Sequence, residues 1–140
     1  MKIEEIVSLK FGASADRGED SGQALCEIMA VIRPDRREAT QLALDEAGFF
    51  SYSTFGVLGR GKQKGLRFKG EETSEAAISF LPRQIFLVFV ERKRLGEAIS
   101  IIKKANHSGK EGRFGDGKIF VLETESVVRI STGEVGGDAL

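Results

Sequence analysis

Three observations predict an α+β fold. Short apolar, strand-like runs alternate with amphipathic helical segments; the order strand, helix, strand recurs on either side of one long loop; and the composition is that of an ordinary globular domain, 41% hydrophobic and 30% charged. A doubled βαβ unit of this kind closes as a ferredoxin-like sandwich with its helices on one face of the sheet. At 140 residues the chain has room for one core.

The first strand is expected over Cys26 to Arg33. Pro34-Asp35-Arg36-Arg37-Glu38 then offers Asp35 as a helix N-cap with Glu38 three positions later. In the helix that follows, Ala39, Leu42, Ala43 and Ala47 recur at helical spacing, and Gly48 is the expected stop. Phe49 to Leu58, rich in aromatic and β-branched residues, reads as the second strand. Gly59 to Pro82 has no clear period and many glycines and charges, which marks a functional or disordered loop. Ile85 to Val90 is continuously apolar, the pattern of a strand covered on both faces or buried in an oligomer. Leu95, Ala98, Ile99, Ile102 and Ala105 mark a second amphipathic helix, Gly109 to Gly115 a further loop, and Lys118 to Leu122 and Ser126 to Ile130 the last two strands. Residues 1–24 read as an N-terminal extension and linker, glycine-rich from Gly12 to Gly22, with residues 25–140 as the folded domain. A loosely ordered tail is the expected state of the extension, with an added strand or a docking peptide as alternatives.

Lys plus Arg and Asp plus Glu both number 21, so no global field draws the chain to nucleic acid, and anion binding must be local. The apolar run Ile85 to Val90 is far short of the ~20 residues a membrane-spanning helix needs. The N-terminus lacks the apolar stretch of a secretory signal. A single cysteine, Cys26, excludes an internal disulfide framework, fits a reducing cytoplasm and reads as a small strand residue. His107 has no second histidine with which to hold zinc and reads as a solvated residue at a helix end.

The chemistry concentrates in two glycine-rich basic stretches. In Gly115-Asp116-Gly117-Lys118 the glycines allow a turn that aims consecutive amides at one spot, as a phosphate-cradling loop does, and Lys118 adds a charge. Gly59-Arg60-Gly61-Lys62-Gln63-Lys64-Gly65 is equally suited to approach an anion. Two such loops in one small domain point to a shared nucleotide.

These residues, together with Ile32-Arg33-Pro34, Phe80-Leu81-Pro82-Arg83, Gly115 to Val121 and Thr132-Gly133-Glu134, resemble the motifs of the nitrogen-regulatory PII signalling family, in family order. The resemblance implies a compact, cytoplasmic homotrimer with nucleotide sites in the clefts between subunits. It implies a non-enzymatic sensor of ATP, ADP and 2-oxoglutarate, with Mg2+, that regulates a target enzyme or transporter through loop 59–82. By position it assigns the nucleotide to Ser53, Gly61, Lys62, Gln63, Lys64, Gly115, Asp116, Gly117, Lys118, Arg129 and Thr132, the metal to Gln63, and 2-oxoglutarate to Gln63, Lys64, Gly65 and Arg83. A neutral amide oxygen from Gln63 suits a hard cation already surrounded by anions.

The sequence departs from the family pattern at Leu87, where many members have glutamate, at Ser131, where a second phosphate-contacting arginine is usual, and in a longer loop from Ser108 to Phe114. Arg113 is read either as a replacement for that charge or as a solvated side chain. The alternative reading is therefore a divergent sensor of AMP or ADP with another small anion such as bicarbonate. Slow ATP hydrolysis ranks below both, because no placed histidine or carboxylate pair supplies a base. The one tyrosine, Tyr52, falls in a predicted strand, so modification of a loop tyrosine is not expected. The stretch Leu66 to Ala77 resembles that of the nitrogenase-associated branch.

Overall fold

The computed structural model describes residues 24–61 and 80–140. Its elements are β1 (Leu25–Ile32), α1 (Arg37–Glu46), β2 (Tyr52–Gly59), β3 (Leu81–Glu91), α2 (Leu95–Asn106) and β4 (Gly117–Thr124), with single 3-10 turns at Pro34–Arg36, Arg92–Arg94 and Gly136–Ala139. The strands form one sheet in the order β2-β3-β1-β4, every neighbour antiparallel. This is the expected β-α-β-β-α-β sandwich.

Alternation along the strands decides which face the helices cover. Ile28, Ala30 and Ile32 of β1 and Phe86, Val88 and Val90 of β3 are buried against Leu44 of α1 and Leu95, Ala98 and Ile102 of α2. Burial of side chains this size stabilises by roughly 1.5 to 3 kcal/mol each, which makes this layer the source of the fold's cohesion. The intervening residues Met29, Val31, Ile85, Leu87 and Phe89 are only half-buried, on a face that neither helix covers. The unbroken apolar run in β3 therefore reflects one helix-packed side and one open apolar side.

The first helix starts differently from its sequence signature. Asp35 lies in the preceding 3-10 turn and pairs with Arg33 at 3.5 Å, while Arg36 is the N-cap and makes no side-chain capping bond. Its buried positions are Thr40 and Leu44, with Ala39 and Leu42 exposed. Thr40 can be buried because its hydroxyl donates to the Arg36 carbonyl at 2.8 Å and accepts from the Asn106 amide at 2.9 Å, a polar link between the helices. The same link explains why Asn106, rather than the half-buried Ala105, lies against the core. Gly48 does end the helix: at φ 77° it lets the Phe49 amide return to the Leu44 carbonyl at 2.9 Å.

The second strand begins at Tyr52, since Phe49 is drawn under the Arg94 guanidinium, 3.9 Å from its ring centroid. The third strand starts at Leu81 rather than Ile85, and pairing of Leu58 with Pro82 and Gly59 with Leu81 takes both ends of the expected loop 59–82 into the sheet, leaving residues 60–80 between the strands. No strand forms over Ser126 to Ile130: only Val128 bridges to Val135, because the chain reverses through Arg129 to Glu134 with Gly133 at φ 74°. Cys26 is wholly buried on β1, and burial pushes its thiol pKa up, as befits a packing residue. His107 is the exposed residue that follows α2.

Candidate functional site

Strand ends gather the candidate site at one end of the sheet. Val31 pairs with Lys118 and with Ile85, and Arg83 pairs with Val57, so Lys118 and Arg83 share the open face. Between them lies a cleft of about 490 Å³ lined by Gly59, Arg60, Gly61, Arg83, Arg113, Phe114, Gly115, Gly117, Lys118 and Phe120. Four of these are cations and none is acidic, so among the described residues the cleft is a local anion attractor in a chain of zero net charge.

The glycine loop is held in place from within. Asp116 does not line this cleft; its carboxylate accepts from the Ser108 amide at 2.9 Å, the Ser108 hydroxyl at 2.6 Å and the Arg113 amide at 3.0 Å. These bonds favour the charged form, the Ser108 hydroxyl most, and lower the pKa to about 2. Arg33 donates to the Ser108 hydroxyl at 3.3 Å, and Arg83 donates to the Gly115 carbonyl at 3.1 Å. Gly117 permits the closest approach: at φ 120°, a Cβ there would sit 2.2 Å from the Val31 carbonyl oxygen. The loop is thus fastened at both ends, with the Asp116 amide itself donating to the Arg113 carbonyl at 3.1 Å.

The sequence-assigned residues divide into three groups. Gly61, Gly115, Gly117, Lys118 and Arg83 meet at the cleft, with Asp116 fastening the loop behind it. Ser53 lies on the edge strand β2 opposite Leu87, and Arg129 and Thr132 lie in the C-terminal turn; none of these three lines the cleft within one chain. Lys62, Gln63, Lys64 and Gly65 lie outside the described residues. The structure adds Phe114 and Phe120 to the lining. Phe120 was foreseeable from strand alternation with Lys118, whereas nothing in the sequence pairs Ser108 with Asp116.

The C-terminal turn has its own polar arrangement. Arg129 forms an ion pair with Glu134, and the Thr132 hydroxyl donates to the same carboxylate oxygen at 2.8 Å. Arg129 also donates to a Leu140 oxygen at 3.2 Å.

The model of the nitrogen regulatory protein P-II family matches residues 25–134, from the start of β1 to this turn. The chain belongs to the P-II family. It is 40% identical over 116 residues to a nitrogen regulatory protein P-II of Azospirillum brasilense, covering 81% of this chain and 98% of that one. It is 37% identical over 109 residues to a nitrogen fixation nifHD region GlnB-like protein 1 of Methanothermobacter marburgensis, covering 78% and 96%. The latter likeness is consistent with the nitrogenase-associated branch. Among solved structures, Arabidopsis thaliana PII bound to citrate superposes with a TM-score of 0.66 at 25% identity, covering 84% of this chain and 94% of that one. The protein is thus a P-II signalling protein of nitrogen regulation, and P-II chains are regulators that bind small effectors and act on target proteins. Among its described residues no helix is long and apolar enough to cross a membrane.

Proposed function

We propose that this P-II chain senses adenylate state, binding ATP or ADP in the cleft at the base of loop 59–82, and joins Mg2+ and 2-oxoglutarate to ATP there. The observation that carries this reading is the cleft in which Arg60, Arg83, Arg113 and Lys118, with no acid among the described lining residues, meet a glycine loop fastened by Asp116. Amides and cations in that arrangement suit phosphate and carboxylate oxygens. Arg83 would meet a 2-oxoglutarate carboxylate, with Gln63, Lys64 and Gly65 completing that site and Lys62 and Gly61 flanking the phosphates. Among the described residues no group of His, Cys, Asp and Glu could hold a metal alone. On this reading phosphate oxygens and the Gln63 amide oxygen would hold the Mg2+.

Two features support a homotrimer in which neighbouring copies complete each site. The open sheet face exposes Phe55, Phe120 and Leu122 by 45, 49 and 43% beside half-buried Met29, Ile85, Leu87 and Phe89, an apolar surface of the kind that marks an interface. Ser53, Arg129 and Thr132 do not line the cleft within one chain, and on this reading a neighbouring copy would bring them to it. On this reading residues 25–140 form the sensor, loop 59–82 engages a cytoplasmic target enzyme or transporter, residues 1–24 are an appended extension, and the output is regulation rather than catalysis.

The test is calorimetric titration with ATP, ADP and AMP in magnesium buffer, with and without saturating 2-oxoglutarate. ATP should bind more tightly when 2-oxoglutarate is present. Nucleotide binding indifferent to 2-oxoglutarate would replace the coupled sensor with one for another anion, bicarbonate being the first to try. Absence of any nucleotide binding would end the reading.

A further inference from the structure

Two residues assigned to phosphate, Arg129 and Thr132, already share a partner. One oxygen of the Glu134 carboxylate accepts from the Arg129 guanidinium and from the Thr132 hydroxyl, and the Glu134 amide in turn donates to Thr132 Oγ1 at 3.4 Å. Arg129 is 39% and Glu134 45% exposed at the side chain, so the arrangement sits where an incoming anion can reach it. Gly133, at φ 74°, folds the turn so that the Gly133 amide donates to the Arg129 carbonyl at 2.8 Å and the Arg129 amide to the Glu134 carbonyl at 2.9 Å. The backbone thus places the acid over the base independently of the side-chain bond.

We infer that Glu134 is an internal stand-in for phosphate, an affinity- and specificity-setting residue whose carboxylate must leave Arg129 and Thr132 before a polyphosphate can take them. This rests on the nucleotide reading above, which assigns both residues to phosphate. A carboxylate and a phosphate present the same chemistry to an arginine fork and a hydroxyl; with Glu134 on Arg129 Nη1, a Leu140 oxygen on Nη2 and the one proton of the Thr132 hydroxyl given to Glu134, a phosphate competes with the carboxylate for these donors. A built-in competitor weakens every phosphate ligand, and its charge repels the most highly charged one hardest. Glu134 would therefore narrow the preference for ATP over ADP and AMP, and a target that pulls the turn open would sharpen it.

The experiment compares the intact chain with Glu134→Gln, which keeps shape and removes charge, using calorimetry with ATP, ADP, AMP and inorganic tripolyphosphate. An exposed pair of this kind sets the expected gain at about 2- to 5-fold for ATP, smaller for ADP and least for AMP. Arg129→Ala should abolish most of that gain in the double variant, while Glu125→Gln, an exposed acid outside the arrangement, should change nothing. Weaker ATP binding in Glu134→Gln would show that the carboxylate positions Arg129 and would overturn the proposal, as would a gain that survives without Arg129. If ATP binds neither protein but tripolyphosphate binds the variant more tightly, the nucleotide reading falls and the displacement stands. If neither probe binds either protein, both fall.

Discussion

The glycine loop and the C-terminal turn each place a carboxylate among would-be phosphate donors, but the two acids do opposite things. Asp116 accepts from two backbone amides and a serine hydroxyl, and does not line the cleft. Glu134 instead takes the donors themselves, the Arg129 guanidinium and the Thr132 hydroxyl. Asp116 thus holds the loop that forms the cleft, whereas Glu134, on the inference above, competes for the donors it is bonded to. Net charge alone does not separate these cases; hydrogen-bond partners do.

The strongest way to break the contrast is to deform the loop that Asp116 fastens. Gly117→Ala would bring a Cβ to within 2.2 Å of the Val31 carbonyl in a backbone conformation that L side chains rarely adopt. We expect a loss of about 3 kcal/mol or more in stability, read as a fall in the urea midpoint. The pairing of Ile32 with Gly117 and Val31 with Lys118 should loosen with it, while the turn at Arg129 to Glu134, which rests on its own bonds, should keep its amide protection. Equal loss of protection in both regions would mean that they are one cooperative unit.

How far such a difference could be read from the chain depends on the range of the forces involved. Strand alternation, helix periodicity and glycine position are local, and they located every strand of the sheet, both helices and the residues Gly115, Gly117 and Lys118 at the cleft. The misplaced features depend on partners distant in sequence. Thr40 is buried because Asn106 can satisfy it, Asp35 is taken by Arg33 instead of capping α1, and Phe49 leaves its strand for Arg94. Ser126 to Ile130 looked like a strand because Val127, Val128 and Ile130 favour one, yet Gly133 turns the chain back before pairing can extend. The fastening of Asp116 by Ser108 was likewise invisible, since nothing local specifies which polar group a loop aspartate will find.

A smaller effect should follow from Asp116→Ala, which leaves the Ser108 and Arg113 amides without their acceptor and, because water can reach the Arg113 amide, should lower stability by about 1 kcal/mol. The same carboxylate gives a pH signature. Its folded pKa is lowered from 3.8 to about 2, so its contribution is fully present above pH 3.8 and is lost as pH falls through about 2. Below pH 4 the unmodified chain should therefore lose stability more steeply than Asp116→Ala, and urea midpoints between pH 5 and pH 2 would show it. Parallel curves would mean that the loop does not depend on a charged Asp116.

The gentlest change tests whether fastening the loop matters for the ligand as well as for the fold. Arg113 donates its backbone amide to Asp116 and lines the cleft with its side chain, so its charge is carried on a stem whose base is fixed. It is an exposed residue at the cleft, where a single charge contributes about 0.5 to 1 kcal/mol to an anion's affinity and more to its rate of arrival. Arg113→Ala should therefore weaken ATP by roughly 2- to 5-fold, reduce the dependence of binding on salt and leave the melting temperature unchanged, because the backbone bond to Asp116 survives the truncation. An unaltered ATP affinity would make Arg113 a solvated side chain and leave Arg60, Arg83 and Lys118 as the cations of the cleft. A large drop in melting temperature would instead show that the guanidinium helps hold the loop, and the division between an acid that builds and cations that bind would have to be redrawn.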